Sequence, residues 1–372
     1  MEDTVTSDVS DFSLVTSLQS LINADPYAVG GAQKSKLQVE LLSALTRHHY
    51  VACSQYKRIL DLIGFDLRKV ESVEEIPFIP VRLFKDYELR SIDRSKVVKT
   101  MTSSGTSGEG VSKIFLDRET AANQTAVLTK LVSNFIGKKR RPLLIIDSSA
   151  VIRDRNLFSA RGAGILGFSV FGFDITYALD DQMQIDLSRV RSFVEKHAGQ
   201  SVLVFGFTSF IWEFCEVLNA ANVRLPLCGG VMIHGGGWKK LTAQSVSNEL
   251  FRQRISEVCG LSQIHNYYGM VEQTGSIFLE CEAGSLHTSI FSDIVIRDHR
   301  DFSVLTRGQG IVQLMSLLPL SYPGHSILSE DVGEIIGEDD CPCGRRGKRF
   351  RIHGRLVNAE LRGCSDTYVA GA

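Results

Sequence analysis

The sequence predicts an α/β protein built on a largely parallel, wound sheet. Short apolar runs at Leu143–Asp147, Ser201–Phe205 and Gly230–His234 have the length and composition of buried strands. Longer stretches with apolar residues at helical spacing, Glu119–Phe135, Leu187–His197 and Ser209–Asn219, alternate with them. Such alternation puts helices on both faces of a parallel sheet and ligands at the C-terminal ends of its strands. At 372 residues the chain is long enough for one large α/β domain or for two subdomains sharing a core.

From the N-terminus, a short helix is expected around Phe12–Ile22 and one or two helices from Ser35 to Leu62, where Leu37, Val39, Leu41, Leu42 and Leu45 repeat at helical spacing. Ile76-Pro77-Phe78-Ile79-Pro80-Val81 reads as an extended crossing segment, because two prolines oppose helix. Lys96–Met101 reads as a strand, and beyond Val304 the pattern becomes short strands and turns. This divides the chain into a helical region with an extended segment (1–95), an α/β core (96–320) and a β-rich piece (321–372).

Composition excludes several classes. A net charge of −1 removes any electrostatic case for nucleic acid or an anionic membrane surface. No apolar run approaches the roughly 18 residues that span a bilayer. Met1-Glu2-Asp3-Thr4 is acidic and polar, unlike a secretion signal, so the expected location is cytoplasmic. Eight cysteines are too sparse for a disulfide scaffold and read as buried residues, metal ligands or nucleophiles.

The chemistry is concentrated in a few segments. Thr102-Ser103-Ser104-Gly105-Thr106-Ser107-Gly108 follows the strand at Lys96–Met101, with Lys113 just beyond. Small residues let main-chain N–H groups and hydroxyls approach a polyphosphate, and a lysine adds positive charge. The spacing is not that of the common nucleotide-hydrolase loop, and a solvated turn would use the same residue types. Further along stand His234-Gly235-Gly236-Gly237-Trp238, then Asn266 and Tyr268-Gly269-Met270-Val271-Glu272, then Glu330-Asp331-Val332-Gly333 and His353-Gly354-Arg355.

In this order the segments resemble the signatures of the adenylate-forming superfamily. The resemblance implies that fold's large N-terminal domain, with wound sheets flanked by helices and a small β-rich C-terminal piece. It also implies ATP and Mg²⁺. Ser103, Ser104, Gly105, Ser107, Gly108 and Lys113 would bind the phosphates, and Thr106 and Glu272 the Mg²⁺. Gly235 and Gly236 would lie against adenine, Tyr268 and Gly269 beside the adenine and acyl pocket, Asp331 on the ribose and Arg355 at the hinge. A carboxylate and Mg²⁺ together neutralise phosphate charge as pyrophosphate leaves.

The family's mobile C-terminal domain and its lysine are expected to be absent, since only residues 356–372 follow Arg355. Those residues include Arg362-Gly363-Cys364-Ser365-Asp366. With Ile76–Lys85, the phosphate loop, Tyr267–Glu272 and Arg355–Tyr368, they resemble the LuxE-type acyl-protein synthetases, truncated adenylating enzymes that pass the acyl group to a cysteine near their own C-terminus. The resemblance implies that Cys364 is the nucleophile. It also implies a carboxylic, family-typically fatty, acid as substrate and an acyl reductase or acyltransferase as partner. Arg362 and neighbouring N–H groups would favour the thiolate. A ligase that releases its acyl group to coenzyme A or a carrier protein, or a non-catalytic nucleotide-binding module, stays open at this point.

Cys281 and His287, with Cys341 and Cys343 in a C-x-C turn, make a Cys₃His set of the kind that holds structural Zn²⁺. Phenylacetate-CoA-ligase-like enzymes look similar there; separate burial of the four would leave the same sequence. Cys53, Cys215, Cys228 and Cys259 read as core, and His48-His49 as helix surface. His234 and His265 are expected at strand ends, and Phe210, Trp212 and Phe214 as packing in one helix.

Overall fold

The computed structural model describes residues 16–103, 111–153, 160–238 and 245–356. A helix over 16–22 (α1) is followed by α2 (Gly31–Ala52), α3 (Ser54–Leu62), strand β1 (Ile79–Pro80), α4 (Leu83–Asp86), β2 (Lys99–Thr102), β3 (Lys113–Leu116) and α5 (Arg118–Ile136). Then come β4 (Arg141–Ser148), α6 (Ala150–Arg153), α7 (Ala160–Ser169), β5 (Gly172–Leu179), α8 (Leu187–Lys196), β6 (Leu203–Phe207) and α9 (Thr208–Ala220). The chain continues with β7 (Val231–Gly235), α10 (Asn248–Cys259), β8 (Gln263–Tyr268), β9 (Phe278–Leu279), β10 (Leu286–His287), β11 (Ser292–Arg297), β12 (Gly310–Ser316), β13 (Ser326–Glu338) and β14 (Lys348–Arg355). Among the described residues no helix is long and apolar enough to cross a membrane.

The residues group into two units that interleave along the chain. Among the described residues, one holds 102–103, 132–153, 160–238 and 245–268, the other 16–101, 111–131 and 269–356. In the first, strands β5-β4-β6-β7-β8 lie side by side and all four pairings are parallel. The central strands read as unbroken apolar runs because both faces are covered, and every residue of β6 and β7 is buried. Their side chains join α8, α9 and α10 in a core of Leu144, Val204, Ile211, Phe214, Met232, Phe251 and Ile255. Helix α10 starts where the Ser247 hydroxyl accepts the Leu250 N–H, and ends at Gly260, whose φ of 67° closes the helix in the left-handed region.

In the second unit an antiparallel sheet runs β10-β14-β13-β12-β11, with β1 added parallel to β13. The two-proline segment is thus extended, as expected: Ile79 stands opposite Ile327, and the Val81 N–H donates to the Leu328 carbonyl. The C-terminal part is not made of short strands only, because β13 has 13 residues and bends at bulges in its pairing with β14. Helix α2 buries Leu41, Leu42 and Leu45, but its buried stripe also carries Lys34, Gln38, Thr46 and His49. Lys34 donates to the Thr288 hydroxyl at 2.6 Å and Gln38 to the Ser292 carbonyl at 3.0 Å.

Two sequence expectations are corrected here. His49 is fully buried, not on the helix surface, because its ring bonds to Ser91 and to the Pro319 carbonyl. Cys228 is exposed, since it lies in the turn before β7 and not in a strand or helix; Cys53, Cys215 and Cys259 are buried.

Candidate functional site

Glu272 lies on a short 3₁₀ turn, Val271–Gln273, and is only 5% exposed. Burial raises its carboxyl above the ordinary range, and four groups oppose that shift. The Ser112 hydroxyl and the Glu272 N–H donate to the carboxylate, and the Lys85 and Arg355 cations act on it. Arg355 reaches Asp331 as well, Nε to Oδ1 at 3.6 Å, and the two residues stand opposite each other on β14 and β13. Asp331 is fixed from below: its N–H donates to the Ser329 hydroxyl, which donates to the Val312 carbonyl at 2.7 Å. A buried carboxylate can ligate a divalent ion, and the two cations that act on it can pair with phosphate oxygens.

Lys113 is exposed at the first position of β3, and its buried neighbour Ser112 is the residue that meets Glu272. Ser103 is half-buried. Ser104, Gly105, Thr106, Ser107, Gly108 and Cys364 lie outside the described residues.

In the other unit the C-terminal ends of β7 and β8 bring Gly235 beside Tyr267 in register. A Cβ at Gly235 would lie 2.5 Å from the Tyr267 ring, so the tyrosine occupies the space that the glycine leaves. Gly236 and Gly237 have φ of 86° and 62°, which explains why the strand exit is a glycine run. Tyr267 and the half-buried Tyr268 project to opposite faces by strand alternation. Tyr267 faces an aromatic group, 5.2 Å from Phe168 and 6.4 Å from Phe205 between centroids. Gly164 of α7 lines the same group, since a Cβ there would meet Phe207 Cζ at 3.4 Å and Tyr267 Oη at 3.5 Å. His234 and His265 are buried in these strands; His234 Nδ1–H donates to the Thr208 hydroxyl at 3.0 Å, and His265 packs edge-on against Phe135. Trp212 packs against Phe251 and Trp238.

Cys281, His287, Cys341 and Cys343 converge, with all four ligand atoms within 4.8 Å of one another. Cys281 Sγ is 3.7 Å from Cys341 Sγ, and Cys343 Sγ is 3.4 Å from His287 Nε2. A tetrahedral Zn²⁺ with its usual bond lengths requires separations of about 3.7 Å for sulfur pairs and about 3.5 Å for sulfur and nitrogen. These two separations match that ion. Burial pushes the Cys281 thiol up to about 12 and the His287 imidazole down to about 4, so the ring is in the neutral form that a metal takes. At Cys343 burial works against the thiolate, but the Arg345 N–H and side chain and the two other thiols outweigh it and lower its pKa. The shape of the loops brings the four together: Gly284 turns the chain after Cys281 at φ 72°, and Gly344 after Cys343 at φ 79°.

Sequence reasoning did not single out Ser112 or the role of Lys85, and named Tyr267 only as the first residue of the segment Tyr267–Glu272. Lys85 closes the segment Ile76–Lys85, so its place in the family resemblance was the available signal; Ser112 is separated from Glu272 by too much chain for spacing to reveal it.

A family model described as "Acyl-protein synthetase, LuxE" matches residues 5–370. The long-chain-fatty-acid–luciferin-component ligase of Vibrio harveyi is 22% identical over 344 residues, covering 90% of this chain and 87% of its own. The protein of the same name from Aliivibrio fischeri is 21% identical over 306 residues, covering 80% and 78%. The crystal structure of a 2-hydroxyisobutyryl-CoA ligase in the postadenylation state, with its acyl-AMP, superposes with a TM-score of 0.71 at 14% identity. It covers 89% of this chain and 70% of the ligase, and at that identity it establishes the fold. The chain belongs to the LuxE acyl-protein synthetase family and, with that, to the ATP-dependent ligases that form acyl-adenylates.

Proposed function

We propose that this protein activates a fatty acid with ATP and stores the acyl group as a thioester on its own Cys364. The observation that carries the reading is the Glu272 carboxylate, buried yet opposed by Ser112, Lys85 and Arg355, in a chain whose family match continues through residue 370 and so spans Cys364. In the first step the acid's carboxylate oxygen attacks the α-phosphorus of ATP. The bond to the bridging oxygen breaks, and pyrophosphate leaves with the electron pair. In the second step the Cys364 sulfur attacks the acyl carbonyl carbon, the bond to the AMP oxygen breaks, and the thiol proton passes to solvent.

Glu272 and Thr106 would hold Mg²⁺, which supplies charge neutralisation at the phosphates. Ser103, Ser104, Gly105, Ser107, Gly108 and Lys113 would contact phosphate oxygens through N–H, hydroxyl and ammonium donors. Asp331, kept oriented by Arg355 and Ser329, would accept from the ribose hydroxyls. Gly235, Gly236, Tyr268 and Gly269 are the residues for adenine and the acyl carbonyl. Cys281, His287, Cys341 and Cys343 would hold a structural Zn²⁺ that fixes the hairpin between β13 and β14, whose far end carries Asp331 and Arg355. The partner is an acyl reductase or acyltransferase that takes the group from the thioester.

Fatty-acid-dependent exchange of labelled pyrophosphate into ATP tests the first step. Exchange that needs Mg²⁺ and disappears in Glu272→Gln supports the reading; no exchange with any acid overturns it. Label that moves onto coenzyme A rather than protein would favour an acyl-CoA ligase.

A further inference from the structure

The main chain of Glu272 is held by a hydroxyl that belongs to none of the motifs above. Tyr322 is fully buried, and its O–H donates to the Glu272 carbonyl at 2.8 Å. Gln124 Nε2 donates to the same hydroxyl at 3.5 Å. The next residue, Gln273, is 1% exposed and donates to the Leu314 and Gly324 carbonyls at 3.1 and 2.9 Å. Gly324 closes the arrangement, for a Cβ there would lie 2.3 Å from the Tyr322 ring and 2.9 Å from the Glu272 carbonyl oxygen.

The segment carrying Tyr322 is itself fastened. His49 Nε2–H donates to the Pro319 carbonyl at 3.0 Å, and His48 Nε2–H to the Leu320 carbonyl at 2.9 Å. Thr46 donates to Leu42, so its hydroxyl accepts from His325 Nε2–H at 2.9 Å. Phe84, the neighbour of Lys85 on α4, packs edge-on against Tyr322 at 6.1 Å. Helix α2 therefore fixes the 319–325 segment, that segment fixes the turn, and the turn aims the carboxylate.

A ligating carboxylate needs its direction set to within about half an ångström, and groups that set it from behind are commonly worth 10- to 100-fold in metal affinity. We propose that Tyr322 is a positioning residue for the Glu272 carboxylate, acting through the main chain without touching metal or substrate. The proposal rests on the reading of Glu272 as a Mg²⁺ ligand.

The test is pyrophosphate exchange by the full-length Tyr322→Phe variant as a function of free Mg²⁺, beside wild type and Glu272→Gln, with thermal midpoints measured in parallel. The expected result is a rise of roughly tenfold or more in the Mg²⁺ concentration for half-maximal exchange. The rate at high Mg²⁺ should approach that of wild type, and the melting temperature should stay close to it. Ile255→Ala, a core truncation in α10, should lower the melting temperature without moving the Mg²⁺ dependence. An unchanged Mg²⁺ dependence in Tyr322→Phe while Glu272→Gln is inactive overturns the positioning role. Failure of Tyr322→Phe to fold also overturns it, because the hydroxyl is then a folding requirement. Full activity in Glu272→Gln removes the reading on which the proposal stands.

Discussion

The sulfur atoms of Cys281 and Cys341 stand 3.7 Å apart although 59 residues separate them in the chain, and with His287 and Cys343 their ligand atoms all lie within 4.8 Å of one another. Freshly purified protein should contain about one zinc ion per chain by elemental analysis. Cys341→Ser should lose it, with a stability loss of about 4 kcal/mol or more, because loss of a metal is among the few mechanisms that reach that size. Metal-free protein as stable as the zinc-loaded form would rule out the structural role.

Glu272 predicts opposite effects on stability and activity. Its raised pKa means that the folded state holds the proton more tightly than the unfolded chain. Its contribution to stability is therefore lost as pH rises from the ordinary carboxylate range through the raised value, and above that value the ionised group is a cost. Glu272→Gln should raise the melting temperature of the ligand-free protein at pH 7 by about 1–3 °C while abolishing exchange. In wild type, exchange should fall on the acid side at a pH above that of an ordinary glutamate. A lower melting temperature in the variant would contradict this account of the burial.

Acid stability should be governed by buried histidines. Burial lowers His325 to about 3, and lowers His49, beside His325 and His48, well below the usual value. Depressed pKa values of this kind give stability that is complete above about 6.5, the unfolded value, and is lost as pH falls toward the folded one. Each such histidine adds a slope of roughly 1.4 kcal/mol per pH unit within that window. Urea melts at pH 7, 6 and 5 should show the decline, and His325→Gln should flatten it. A slope unchanged by the substitution would place the acid sensitivity elsewhere.

How much of this was legible in the sequence depends on what each element buries. The central strands were readable because β4, β6 and β7 are covered on both faces and so carry apolar runs such as Leu143–Ile146 and Val231–Ile233. Helix α2 was readable as a helix but not in its orientation. Its inward stripe mixes Leu41 and Leu45 with Lys34, Gln38 and His49, each satisfied by a partner distant in sequence. The exposed edge strand β5, with Phe173 and Ile175 partly in solvent, has no clean alternation to reveal it. In the site, Glu272 was legible only through the family resemblance of Tyr268–Glu272, and the Cys₃His set through residue type, while separate burial of the four stayed open. Ser112 and Tyr322 act through a hydroxyl on a residue far along the chain, and only the fold brings them to Glu272.

The central claim is transfer to Cys364, and intact mass spectrometry tests it most directly. Purified protein is incubated with MgATP and a panel of fatty acids, wild type beside Cys364→Ala. The account predicts one hydroxylamine-labile acyl adduct on wild type and none on the variant, which still catalyses pyrophosphate exchange. ATP and acid consumed to AMP with wild-type protein left unmodified, or an adduct that persists in Cys364→Ala, would contradict it.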